Sequence, residues 1–391
     1  MGDGVHHLRQ PTLRLPVHLH RLRSCPVLAF VPHLLLAATQ VLLSGAVAAP
    51  ASPPGSVSAV AEPAGWSNRR VAAQLTFSCV DTADLGTARR HARAGIGGIT
   101  LLGDRPPSDL RARLAGVRRA STTTVAPFIA SDEEGGTVQR LGRVIHRLPS
   151  ARTMGTWSPA RVRRTSSAYA VQMRRLGVRM DLAPVVDLAV PGHYIDDLGR
   201  SFGADPDMVA RRARAWRLGM QDGGVVTVLK HWPGHGAARN SHTGPARTLP
   251  LSRLAASDLV PFGRELADGA PVVMVGHLLS RGLTRGGVPT SLSPRALRYL
   301  RGTAGPDTVI LTDSLAMAAA SSALGITPAR AAVRSLRAGA DWAMACDAAP
   351  LQAVAAIRRA FEDGTLPRAQ AEDSVRRILA LKTRWGLTSS P

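Results

Sequence analysis

The chain has 391 residues, of which 45% are hydrophobic but only 4% aromatic, and its formal net charge is +22 at pH 7. That length suits one large domain or two ordinary ones, with a core built from Ala, Val, Leu and Ile rather than from rings. The charge would suit a polyanion, but the arginines are scattered and no RNA-binding aromatic motif or zinc-finger spacing accompanies them, which argues against specific nucleic-acid recognition.

The first 26 residues carry Arg9, Arg14, Arg21 and Arg23 against a single acid, Asp3. A mostly apolar run over 27–47 follows, then small residues at 46–49. This is the pattern of a secretory signal over 1–49 with processing near Ala48 or Ala49, so the protein is expected to be exported. A membrane anchor through residues 27–47 is the alternative. Leu43-Ser44-Gly45 resembles the start of a lipoprotein signal, but Ala46 stands where the lipidated cysteine would be. Residues 50–69, rich in Pro, Ala, Ser and Gly, predict a disordered linker. Cys25 would leave with the signal. A disulfide between Cys79 and Cys346 is allowed in an exported protein, yet both lie in apolar, strand-like runs, and the reading favours two buried thiols.

From residue 71 short apolar runs alternate with longer amphipathic stretches, which predicts parallel βα units. The expected strands are 74–80, 98–102, 124–130, 180–185, 225–230, 272–277, 308–312 and 341–346. Their Val/Ile/Leu/Ala content suits strands covered on both faces, and eight of them close a single (β/α)₈ TIM-type barrel over residues 70–388. Arg-rich helices are expected between them, for example over 159–176, 205–222 and 328–338, with a last helix over 370–384 stopped by Gly386. In such barrels the chemistry sits at the C-terminal ends of the strands. Reading just past each run gives Asp81, Gly103, Asp132, Asp187, Lys230-His231, His277, Asp313 and Asp347. Apolar runs that end so often in Asp, His or Lys point to an active site. Lys230 and Lys382 are the only lysines. In a chain that uses Arg by default, a compact ammonium at a strand end is a chemical choice.

Five segments, in order, resemble one family. Ser131-Asp132-Glu133-Glu134-Gly135-Gly136-Thr137-Val138-Gln139-Arg140-Leu141 is similar to its Asp-x-Glu-Gly-Gly-x-Val-x-Arg loop. Asp181-Leu182-Ala183-Pro184-Val185-Val186-Asp187 and Arg200-Ser201-Phe202-Gly203 resemble the next two motifs. Lys230-His231-Trp232-Pro233-Gly234-His235-Gly236 resembles its most specific signature, and Ile310-Leu311-Thr312-Asp313-Ser314-Leu315-Ala316-Met317 its nucleophile motif. The family is glycoside hydrolase family 3, in particular the NagZ-type β-N-acetylglucosaminidases (β-N-acetylhexosaminidases), and the similarity spans roughly residues 70–386.

The resemblance implies a retaining exo-glycosidase that removes terminal non-reducing β-N-acetylglucosamine, here from peptidoglycan fragments. It implies no cofactor, no metal and a carbohydrate as the partner. A monomer is expected, with an electrostatic attraction to an anionic cell wall as an accompaniment of the charge. By the same resemblance Asp313 is the nucleophile, against a bare reading of that residue as a helix N-cap. Asp132, Arg140, Arg200, Lys230 and His231 grip the sugar, and His235 organises its loop. His277 reads equally as a satisfied core histidine or a site residue. The general acid is His242, but Asn240 stands where the family places the aspartate that orients and charges it. That departure opens one alternative, a degenerate, weakly active wall-glycan-binding relative; a β-glycoside phosphorylase, which would share the same site and need phosphate, is another.

Overall fold

The computed structural model describes residues 62–347 and 349–388. The export signal and membrane anchor expected within residues 1–49 lie outside them. Eight parallel strands recur along the chain: β1 Thr76–Asp81, β2 Gly98–Leu102, β3 Phe128–Ser131, β4 Met180–Asp181, β5 Val226–Trp232, β6 Val272–Val275, β7 Val309–Thr312 and β8 Ala343–Ala345. Their spatial order is β7-β6-β5-β4-β3-β2-β1-β8. A parallel bridge from Leu311 to Trp342 brings β7 beside the residue leading into β8, so the sheet curls into a barrel. Gly98 shows how tightly the wall is packed: a Cβ there would lie 2.3 Å from the Phe77 ring.

A short helix α1, Asn68–Gln74, precedes β1. The outer layer is then α2 Leu85–Arg93, α3 Leu110–Arg119, α4 Pro159–Leu176, α5 Pro206–Asp222, α6 Leu259–Ala267, α7 Pro294–Ala304, α8 Pro328–Ala338, α9 Pro350–Glu362 and α10 Arg368–Arg384. Local sequence fixes their ends. Ser158, Asp205, Ser293 and Thr327 each sit before a Pro, and their side chains accept the N–H of the residue three further on, satisfying a donor the helix leaves free. Gly177 at φ 98° and Gly339 at φ 117° close α4 and α8 in the left-handed conformation.

The core is aliphatic, with its few rings concentrated. Trp342 meets Phe77 edge-on at 4.8 Å and Phe128 at 6.1 Å. Lys382 of α10 is completely buried beside them. Its ammonium donates to Gln74 Oε1 at 2.8 Å and lies 5.9 Å from the Trp342 ring centre.

Two expectations are corrected. The stretch expected as linker over 50–69 is ordered where it is described, since Asn68 already belongs to α1 and Arg368 of α10 donates to the carbonyl of Trp66 at 2.7 Å. The second concerns the cysteines. β1 pairs with β8 in the register Thr76↔Ala343, Phe77↔Met344, Ser78↔Ala345. One step further sets Cys79 opposite Cys346, with Cα atoms 4.7 Å apart, and the two form a disulfide. Linear order separates them by 267 residues; barrel closure makes them neighbours.

Candidate active site

The C-terminal ends of the strands surround a cavity of about 390 Å³. Asp132, Arg140, Arg200, Lys230, His231, His242 and Asp313 all line it. Asn240 and His277 do not.

The loop after β3 folds into a small antiparallel ribbon, Glu133–Gly135 against Val138–Gln139. Gly135, at φ 85°, makes this possible, since a Cβ there would lie 2.1 Å from the Pro149 carbonyl oxygen. Glu133 pins the ribbon from within. Its carboxylate accepts from Ser131 Oγ at 2.5 Å, from the Tyr169 hydroxyl at 2.6 Å and from the backbone N–H groups of Arg140 and Leu141. Burial nevertheless outweighs these bonds and pushes the Glu133 carboxyl up to about 7. Asp132 and Glu134, on either side of it, are thereby presented to the cavity.

Lys230 lies near the end of β5 and points at both. Its Nζ lies 2.5 Å from Asp132 Oδ1 and 2.6 Å from Glu134 Oε1. Arg200 meets the same Glu134 side-on, with Nε 2.7 Å from Oε2 and Nη2 2.7 Å from Oε1. Burial alone would raise Glu134, but Arg200 and Lys230 hold it well below the usual carboxylate range. Burial would likewise lower Lys230, and the charges of Asp132 and Glu134 raise it instead. The two acids and two bases balance, as buried charges must.

His231, next along β5, is oriented from behind. Asp187, buried past β4, holds its Nδ1 at 2.7 Å and also accepts the backbone N–H groups of His231 and His235. That leaves the far ring nitrogen of His231 for the cavity. Burial and the neighbouring His231 push His235 down to about 4, so it is neutral, and its Nε2 meets Ser241 Oγ at 3.2 Å.

Asp313 follows β7. The N–H of Ser314 donates to its Oδ1 at 2.7 Å. Burial opposes its charge, but His231, His277, the Ser314 N–H and His242 together bring it down to about 2. His277 is fully buried with both ring nitrogens engaged, Nδ1 with Ser291 Oγ at 2.7 Å and Nε2 with the Ser314 carbonyl at 2.8 Å. It is a satisfied core residue that holds the Asp313 loop in place.

His242 sits on the loop after β5. That loop is fastened by the Ser241–His235 contact and by the N–H of Ala318, which donates to the His242 carbonyl at 3.3 Å. Asn240 uses its carbonyl oxygen to accept the backbone N–H of His242 at 3.0 Å. Among the described residues it makes no hydrogen bond to the His242 ring. Its work is to shape the turn.

Sequence reading missed Glu134 and Glu133. Glu134 lay inside a quoted motif, two residues beyond Asp132, and nothing in a linear string says which of two adjacent acids faces the ligand and which faces the wall. Asp187 was visible as a polar strand end, without its role behind His231.

The glycosyl hydrolase family 3 N terminal domain matches residues 85–381. The chain belongs to that family. Beta-hexosaminidase LpqI of Mycobacterium tuberculosis (strain ATCC 25618 / H37Rv) is 42% identical over 267 residues, 65% of this chain and 67% of the relative. A solved structure of M tuberculosis LpqI has a TM-score of 0.73 at 35% identity, covering 81% of this chain and 94% of that one. A glycoside hydrolase family 3 beta-N-acetylglucosaminidase from Paenibacillus sp. str. FPU-7 has a TM-score of 0.75 at 28% identity, covering 82% and 62%. As a family 3 barrel, the molecule carries its motif residues around one shared cavity rather than on separate faces.

Proposed function

We propose that the chain hydrolyses terminal non-reducing β-linked N-acetylglucosamine with retention of configuration, through a glycosyl ester on Asp313. The observation that carries this is Asp313 sharing one cavity with the Asp132–Lys230–Glu134–Arg200 cluster and His231. Asp132 accepts from sugar hydroxyls. Lys230, Arg200, Arg140 and His231 donate to them, and this fixes the ring for in-line attack. The Asp313 carboxylate then attacks the anomeric carbon as its bond to the leaving oxygen breaks. A protonated His242 gives its proton to that oxygen. Water attacks the ester in turn, delivers a proton to His242 and restores both side chains.

The relatives' names support a hexosaminide as substrate. The basic, apolar and small-residue pattern over residues 1–49 supports export, and with it a peptidoglycan fragment as the natural aglycone and a loose attraction of the +22 chain to an anionic wall.

The test is NMR of products from a β-linked disaccharide with N-acetylglucosamine at its non-reducing end. The β-anomer should appear first and mutarotate later. The α-anomer appearing first would exclude the ester. A phosphorylated sugar formed only in phosphate buffer would replace hydrolysis by phosphorolysis. Asp313→Asn should cut kcat by on the order of 10³-fold or more.

A further inference from the structure

We propose that Asp347 is a specificity-determining residue, whose carboxylate receives a hydrogen-bond donor or a positive charge on the substrate beside the reacting carbon. This rests on the glycosidase reading of the cavity and extends it to a residue that the mechanism leaves unused.

Four carboxylates line the cavity: Asp132, Glu134, Asp313 and Asp347. The first two are neutralised by Lys230 and Arg200. Asp313 is committed to the anomeric carbon. Asp347 is exposed, and among the described residues it has neither a hydrogen bond nor an ion pair. Its carboxylate is therefore open to a donor brought in by the substrate.

The backbone is arranged to present it. Asp347 has φ 60°, and it is the one non-glycine residue at positive φ among the described residues. Asp tolerates that region better than most side chains, but a strained conformation persists only where its surroundings enforce it. The preceding residue, Cys346, is joined covalently to Cys79 of β1, so Asp347 leaves an anchored strand end.

Position gives the partner's chemistry. β8 lies between β7 and β1, so Asp347 emerges one strand away from Asp313. The hydroxyl-gripping groups come from β3 to β5, across the barrel. A pyranose held there with its anomeric carbon at Asp313 turns toward Asp347 either its C2 substituent or the leaving group. Both sources offer the same chemistry, a nitrogen-borne donor: an acetamido or amino group at C2, or an amino group on the departing sugar.

The test uses Asp347→Asn, which keeps the shape and removes the charge, and Asp347→Gly, which removes the carboxylate and relieves the backbone. Each is assayed with 4-nitrophenyl β-glycosides carrying acetamido, amino or hydroxyl at C2, and with a β-linked N-acetylglucosaminyl disaccharide whose reducing sugar bears a free amine. If C2 is the partner, both variants lower kcat/KM for the amino and acetamido glycosides about tenfold or more relative to the 2-hydroxy glycoside. If the aglycone is the partner, the same loss falls on the disaccharide relative to the acetamido aryl glycoside. Equal changes across all four substrates, or none above about twofold, overturn the assignment. Wild-type protein that turns over none of them overturns the glycosidase reading together with it.

Discussion

The two oxygens of Glu134 are used unequally: Oε1 faces both Lys230 and Arg200, while Oε2 faces Arg200 alone. Glu134→Gln would leave two buried cations sharing one remaining acid. The variant should lose about 3–5 kcal/mol of stability in denaturant titrations and show a raised KM as Asp132 is pulled into the gap. The pH dependence follows from the sign of the shift. The folded carboxyl is depressed below its ordinary 4.5, so its contribution is complete above that value and is lost as pH falls toward the folded value. The wild-type advantage over Glu134→Gln should therefore be flat from pH 7 to 5 and shrink in stronger acid; an advantage that grows in acid would contradict it. At Asn240 the structure separates two tasks. The carbonyl oxygen turns the loop, and an aspartate could do the same while adding charge beside His242. Asn240→Asp should keep the fold and raise turnover several-fold, whereas unchanged turnover would mean that this charge does not limit the enzyme.

At the scale of elements, the disulfide joins the first and last strands of the barrel. Closing a 267-residue span constrains the unfolded chain strongly. The Cys79→Ser/Cys346→Ser pair should lower stability by about 2–5 kcal/mol, read as a fall in Tm that reductant reproduces in the wild type. The strands themselves were legible from apolar runs, and the polar residue after each run located the mouth of the barrel. Register was not legible. Nothing in the runs containing Cys79 and Cys346 distinguishes two buried thiols from one bond, since pairing depends on which strand closes against which. Strand ends also drifted. β1 begins at Thr76 rather than 74 because Gln74 is the last residue of α1, and β3 begins only at Phe128, after Pro127, which cannot donate to a ladder. Of the site, most of the residues lining the cavity were legible by motif. The contacts by which Glu133, Glu134 and Asp187 hold other side chains needed coordinates.

For the whole molecule, the second lysine matters as much as the first. Burial brings Lys382 down from 10.5 to about 7. Between those values the unfolded chain keeps a proton that the folded chain has released, so this group makes stability rise with pH across that window and adds no slope below it. Lys382→Met removes the effect. The stability of the variant relative to wild type should therefore fall steadily from pH 7 to pH 10 in urea titrations, and a constant difference would show that the ammonium stays charged inside the fold. The cysteine bridge has one more consequence. It turns the catalytic body into a hoop whose two loose ends both lie outside the loop it closes. A single protease cut in any rim loop between residues 79 and 346 would open the hoop without releasing a fragment. The nicked protein should migrate as one band without thiol and as two with it.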